Sequence, residues 1–241
     1  MQNTIEIGSK KINYTVTKSS RKTIGISVSL KYGVRILAPK KVSDRQIAQA
    51  VNEKAAWILK KLSYFEQIKS EIPELNFIDG EKITLLGKKY TLRVNVSPSL
   101  TDSSVKLSGN SIIVSLPEDA TGSLSDSVRK HLIDWCKEYT KEIVSERVEH
   151  FSKIMDVIPA KLVIKDLKSI WGSCTSRNVI NINWKIIMAP MAVVDYLVVH
   201  ELTHIKIKNH SKQFWKMAES IYPNCKACSE WLKQNGHKLT F

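Results

Sequence analysis

One short motif constrains this chain more than any other stretch: His200 and His204 stand four residues apart, with Glu201 between them. On a helix this spacing places both imidazoles on one face, one turn apart. Two nitrogen atoms placed in this way can bind one Zn²⁺ ion, and the glutamate lies beside the ion, where it can take a proton from water. The apolar residues 191–199, which follow Pro190, predict that the motif lies on a buried helix.

A catalytic zinc ion takes three protein ligands and leaves a fourth position to water. The best candidate for the third ligand is His210, six residues beyond the motif, and Glu219 is its rival. For His210 to turn back, the helix must end in the intervening residues, and Asn209 tolerates the left-handed conformation of such an ending. Ser211 predicts the N-cap of a further helix over residues 212–221.

The sequence around the motif carries a family resemblance. The segment HELTHIKIKNHSKQFW, with WGSCTSRNVININWKIIMAP upstream, resembles the YgjP-like metallopeptidases, which are relatives of the SprT-like zinc proteases. Two further segments, RKTIGISVSLKYGVRILAPKKVS and FIDGEKITLLGKKY, extend the resemblance over most of the chain. The resemblance implies a zinc metallopeptidase with one Zn²⁺ per chain. It makes His200, His204 and His210 the metal ligands and Glu201 the general base.

Strand-like segments in the N-terminal half predict an α+β fold. The first forty residues alternate in strand fashion between short turns, and Pro39 ends the run. A similar pattern then returns, since the segment at Gly87 echoes that at Gly8 (87 − 8 = 79) and Pro117 introduces a helix as Pro39 does. We therefore predict a duplicated ββββα unit. The predicted regions are a β-rich N-terminal region with one covering helix at 1–116 and a small zincin-like catalytic domain of helices and strands at 117–241.

The segment upstream of the motif supplies candidate substrate contacts. In zincins, as the resemblance implies, the strand before the active-site helix is an edge strand that pairs with an extended substrate. Residues 178–184 are predicted to form this strand, so Asn181, Asn183 and the preceding Trp171 are candidate substrate contacts. A further group must stabilise the oxyanion of the reaction. The candidates for that role are Arg177, Tyr196 and Tyr222, of which Arg177 and Tyr196 are also candidate substrate contacts.

The chain is strongly basic, since 37 Lys and Arg against 23 Asp and Glu give a net charge of +14. This balance favours anionic partners, such as nucleic acid or nucleotides, in addition to a protein or peptide substrate. Two alternative functions follow. The same metal site could serve a nucleoside triphosphate pyrophosphatase or phosphohydrolase, although no Gly-rich phosphate loop is present. The chain could also be a nucleic-acid-associated protease or binding module of the SprT-like type.

No segment predicts export or a membrane partner. The N-terminal sequence MQNTIEIGSKK lacks the apolar core of a signal peptide. The most apolar stretch, residues 186–199, has 14 residues and is too short to span a bilayer. Four unevenly spaced cysteines do not form the framework of a disulfide-rich secreted protein. We therefore expect a cytoplasmic protein.

Overall fold

The structure is a computed structural model that describes residues 2–7, 10–29, 32–72, 74–118 and 123–241. The chain divides into two compact units, Met1–Ile72 and Pro73–Phe241, whereas the sequence predicted the boundary at 116–117. The difference has a physical reason. The strands between Ile83 and Leu116 share one hydrophobic core with the helices that follow them, so they belong to the second unit.

A four-stranded sheet and two helices form the first unit. Its strands are β1 (Gln2–Ile7), β2 (Lys10–Ser19), β3 (Gly25–Ser29) and β4 (Gly33–Pro39). Their order is β1-β2-β4-β3, in which the central pair β2 and β4 is parallel and both outer pairs are antiparallel. The helices are α1 (Asp44–Glu53), which Ser43 and Gln46 begin with a capping box, and α2 (Ala55–Lys69). Alternate sheet residues such as Ile12 and Ile36 form the core with these helices.

The second unit begins with a sheet of the same plan, followed by a long helix. Its elements are β5 (Lys82–Leu85), β6 (Lys88–Val96), β7 (Ser104–Ser108), β8 (Ser111–Leu116) and α3 (Leu124–Met155). The order β5-β6-β8-β7 repeats the parallel centre and antiparallel flanks of the first sheet. Even the register repeats: Ile5 pairs with Ile12 and Ile83 pairs with Tyr90, at offsets of 83 − 5 = 78 and 90 − 12 = 78. The predicted duplication is therefore present in the backbone.

A third sheet and three helices complete the second unit and confirm the α+β fold class. The elements are β9 (Lys161–Lys165), β10 (Gly172–Cys174), β11 (Val179–Asn183), a 3-10 helix (Trp184–Met188), α4 (Met191–Lys206), α5 (Lys212–Ile221), α6 (Cys225–Asn235) and a 3-10 turn (Gly236–Lys238). The strand order is β10-β11-β9. The strand that was expected at the sheet edge, β11, is therefore the central strand, and β10 is an edge.

Helix α4 lies inside the second unit. It is apolar on nearly all sides, and most of its residues from Val193 to His204 are buried, as expected for a helix surrounded by core. Its one acidic residue before the motif, Asp195, forms a two-point ion pair with Arg147 of α3, at 2.6 Å (Nε to Oδ1) and 3.2 Å (Nη2 to Oδ2). This pair fixes α4 against α3. Among the described residues, no helix combines the length and the apolar character that a membrane crossing needs.

Candidate metal centre

Three histidines converge where α4 ends. His200 and His204 lie one turn apart on α4, and His210 reaches them from the segment between α4 and α5. The Nε2 atom of His210 lies 3.0 Å from that of His200 and 3.2 Å from that of His204. Helix α4 ends at Lys206 through an extended Ile207 (φ −129°, ψ 106°). The left-handed ending expected at Asn209 is not found.

These distances fit a single metal ion. With Zn–N bonds of about 2.0–2.1 Å, the nitrogens of a tetrahedral site lie about 3.3–3.4 Å apart, and the observed separations of 3.0 and 3.2 Å are close to this. Within the described ranges, the three histidines are the one group of three or more His, Cys, Asp or Glu side chains whose ligand atoms lie within 4.8 Å of one another. Glu219, the rival ligand, is not part of this group.

The hydrogen bonds and packing of the histidines prepare their nitrogens for a metal. Nδ1 of His204 lies 3.0 Å from the carbonyl oxygen of Ile207 and donates its proton there, so Nε2 carries the free lone pair. Nδ1 of His200 is buried without a hydrogen-bond partner in the described part of the chain. Its ring is held by packing instead, with the fully buried Phe214 ring centroid 4.9 Å away. Phe214 also lies 4.5 Å from the His204 ring and 4.9 Å from the His210 ring.

Burial keeps the two helical histidines neutral, which is the state that a metal requires. Burial, together with the neighbouring His204 and His210, lowers the pKa of His200 to about 3. Burial also lowers the pKa of His204, against the opposing effect of its bond to Ile207. At neutral pH both rings therefore offer a lone pair without first losing a proton.

Glu201 lies next to the histidines in a cramped apolar space. The residue is 3% exposed, its Oε2 atom has no hydrogen-bond partner among the described residues, and burial raises its pKa to about 8. Its carboxylate touches Gly172 on the edge strand β10. A Cβ atom added to Gly172 would lie 2.5 Å from Oε1 of Glu201, so only glycine leaves room for the carboxylate at this position.

A cleft of about 320 Å³ opens beside His200 and Glu201. Trp171 and Tyr196, two of the predicted substrate residues, line it. The Tyr196 ring centroid lies 5.7 Å from that of His200, and its hydroxyl group bonds to Ser229. Burial raises the pKa of Tyr196 above its ordinary value, so at neutral pH the hydroxyl group keeps its proton.

The other predicted substrate residues lie elsewhere. Arg177 is exposed on the turn between β10 and β11 and does not line the cleft. Asn181 and Asn183 are buried on the central strand β11. Nδ2 of Asn181 donates to Oγ of Ser173 at 3.1 Å. Nδ2 of Asn183 donates at 2.8 Å to the carbonyl oxygen of Leu167, in the loop that leads to Trp171. These amides therefore support the strand and loop beside the site.

Tyr222, the third oxyanion candidate, lies away from the cleft lining. It follows α5, and its ring meets Phe151 of α3 edge-on, with the ring centroids 6.1 Å apart. Sequence reasoning missed two residues that shape the site, Gly172 and Phe214. The one signal that could have found them is their place in the WGSC and HSKQFW segments, on either side of the histidine motif in the chain.

Three convergent imidazoles beside a buried glutamate on an H-E-x-x-H helix define a metallopeptidase site. Comparison with protein families agrees. The model of the YgjP-like metallopeptidase domain matches residues 22–235. The chain therefore belongs to the YgjP-like metallopeptidase family and is a metal-dependent hydrolase.

Solved structures of two metallopeptidases resemble part of the chain. The zymogen of abylysin from Pyrococcus abyssi is 21% identical, with 38% of this chain and 93% of that chain covered at a TM-score of 0.35. The zymogen of jannalysin from Methanocaldococcus jannaschii is 19% identical, with 38% and 94% covered at a TM-score of 0.35. No curated protein sequence matches the chain significantly.

Proposed function

We propose that this chain is a zinc-dependent peptidase in which His200, His204 and His210 hold the metal and Glu201 is the general base. The observation that carries the proposal is the convergence of three Nε2 atoms, at separations of 3.0 and 3.2 Å, beside a buried carboxylate. Three histidines are a ligand set that catalytic zinc uses, with the fourth position left open. Membership of a metallopeptidase family supports a peptide bond as the bond that is cleaved.

The residues of the chain divide the chemistry between them. Zinc, when bound, supplies Lewis acidity toward water and the scissile carbonyl group. The positive charge of a bound zinc ion would favour the ionised form of Glu201 despite its raised pKa, and in that form Glu201 accepts a proton from the attacking water and returns it to the leaving amine. The contact with Gly172 keeps the carboxylate from turning toward the strand.

The edge strand β10 is the proposed site for the substrate backbone. One side of β10 pairs with β11, and among the described strands none pairs with the other side. An extended peptide can add to such an edge through main-chain hydrogen bonds, largely regardless of its sequence. Because Gly172 of β10 touches Glu201, a peptide on this edge would pass the general base. Trp171 and Tyr196 would then contact a substrate side chain in the cleft.

Metal content and hydrolysis, measured on the same protein, test the proposal. The wild type should carry one zinc per chain and cleave an unfolded protein substrate. Glu201→Gln should keep the metal and lose a factor of about 10² to 10⁴ in rate. The matched control is Glu219→Gln, which removes an exposed carboxylate of α5 and should change neither quantity. If Glu201→Gln abolishes hydrolysis of nucleoside triphosphates but leaves peptide cleavage intact, the peptidase proposal is wrong.

A further inference from the structure

The positive charge of the chain is concentrated in the first unit. Residues 1–72 contain 14 Lys and Arg against 5 Asp and Glu (14 − 5 = +9), and residues 73–241 contain 23 against 18 (23 − 18 = +5). More than half of the net charge therefore lies on less than a third of the chain. Five carboxylates cannot neutralise fourteen cations, whatever pairs they form, so this unit presents uncompensated positive charge to its surroundings.

The fold gathers many of these cations at one end of the first sheet. Because β2 and β4 are parallel, their carboxyl ends lie side by side, with Ser19 opposite Pro39 and the amide of Lys40 donating to the carbonyl oxygen of Ser19 at 3.1 Å. The residues at and just beyond these ends include a set that we call the basic end. Its members are Lys18, Arg21, Lys22, Lys40, Lys41 and Arg45.

One carboxylate accompanies the basic end. Along the two segments 18–25 and 38–46, Asp44 is the single acidic residue, and it forms an ion pair of 3.2 Å with Lys18. Arg21 lies over Gly25, where an added Cβ atom would be 2.7 Å from either terminal nitrogen of the guanidinium group. Lys22, Lys40 and Lys41 are exposed. Several cations at the basic end are therefore open to an anionic partner.

A pocket that we call the slot includes Ile24, two residues after Lys22 of the basic end. It has a volume of about 420 Å³ and is lined by Ile24 and Ile26 next to β3 and by Lys54 and Trp57 near the junction of α1 and α2, together with Ala50 and Glu53. Trp57 is 42% exposed, although it is the largest side chain in its helix. Two isoleucines and a partly exposed indole line one pocket, which suits an aromatic ring, because any nucleobase can stack on an aromatic side chain.

We propose that the first unit binds single-stranded nucleic acid, with phosphates at the basic end and a base against Trp57. A row of cations next to a stacking side chain is the combination by which proteins hold single strands. A double helix does not fit, since its bases are not available to enter the slot. A membrane surface fits poorly, because the apolar surface here is a concave slot and not a protruding face. The proposal does not depend on the peptidase chemistry of the second unit.

Fluorescence anisotropy of labelled oligo-dT and oligo-U with the full chain tests the phosphate contacts. Lys22, Lys40 and Lys41 are changed together to Gln. For single strands, each lost phosphate contact reduces the slope of log affinity against log salt concentration by about 0.7. The triple variant should therefore bind about 100-fold more weakly than the wild type at 0.1 M salt, and only about fourfold more weakly at 0.5 M. The control changes three exposed lysines of α3, Lys130, Lys141 and Lys153, to Gln, with the same change in net charge. An equal loss in the control would overturn the proposal.

The slot is tested separately through Trp57. Trp57→Ala should weaken binding about tenfold at every salt concentration, and Trp57→Phe should restore most of the affinity, because stacking does not release counterions. Circular dichroism and peptide hydrolysis establish that each variant is folded and that the second unit is intact. Comparing oligo-dT with oligo-U distinguishes DNA from RNA. Equal binding of poly-glutamate or of phosphatidylglycerol vesicles, with no effect of Trp57→Ala, would refute nucleic acid as the partner.

Discussion

Gly172→Ala is the sharpest test of how the site is built. Gly172 is not among the described residues of positive φ, so alanine is compatible with its backbone and the effect comes from space alone. The added Cβ would lie 2.5 Å from Oε1 of Glu201, whereas an ordinary contact begins near 3.4 Å. The oxygen must therefore retreat by 3.4 − 2.5 = 0.9 Å. The added Cβ would also lie 2.9 Å from Cδ and 3.0 Å from Cγ of Glu201, so the whole side chain must shift and not the oxygen alone.

A misplacement of about 1 Å costs about 10²-fold in rate, which corresponds to about 2.7 kcal/mol in the activation free energy. We expect kcat/KM of Gly172→Ala for a fluorogenic peptide to fall by this factor while the zinc content stays at the wild-type value. In a Glu201→Ala background the same substitution should have almost no further effect, since the two residues act through one contact.

The control for Gly172→Ala is Ser176→Ala, which changes an exposed residue of the turn between β10 and β11. This variant should keep most of the activity. The reasoning is refuted if Gly172→Ala retains more than half of the wild-type kcat/KM, or if it lowers the activity equally with and without the Glu201 carboxylate.

Three further predictions concern the metal and the support of α4. His210→Ala should lose the zinc measured by mass spectrometry, and a variant that still carries one zinc per chain would contradict the three-histidine site. Asp195→Asn should lower the free energy of unfolding in urea by about 2 kcal/mol, because it leaves the half-buried Arg147 without its charge partner. An unchanged midpoint of urea unfolding would refute this prediction. Removal of zinc by a chelator should abolish hydrolysis but leave the far-ultraviolet circular dichroism intact, since each unit has an extensive apolar core; unfolding would show that the ion is structural.

Local signals in the sequence predicted the helices around the site well. Pro190 and Ser211 mark the starts of α4 and α5 because a proline at a helix entrance and a serine N-cap act within one turn of the chain. The lone pair of His204 depends on Ile207, three residues away. Such short-range features depend on local sequence, and the three histidines that the sequence offers as candidate ligands lie together in the structure.

The strand order and its consequences depend on contacts that are distant in the sequence. Alternation along residues 179–183 suggested one polar and one apolar face, but both faces of the central strand are buried, and Asn183 bonds to a loop carbonyl 16 residues away. Likewise, the contact of Gly172 with Glu201 joins a strand to a helix 29 residues later (201 − 172 = 29). The spacing of residues along the chain does not show which distant segments come into contact. The roles of Asn183 and Gly172 were missed for this reason.

The two strand repeats share a backbone plan and differ in what their sequences add to it. In the second copy, buried residues such as Leu92 and Ile112 join the core that surrounds α4, the helix of the histidine motif. The first copy closes a core of its own around Ile12 and Val34 and carries an excess of nine positive charges. Register depends on the buried alternate residues, whereas charge resides on the exposed ones. One copy can therefore support a catalytic core and the other gain a binding surface without any change in topology. The repeat accounts for the sheet plan that the two units share, and the residues outside its buried alternation distinguish the two copies.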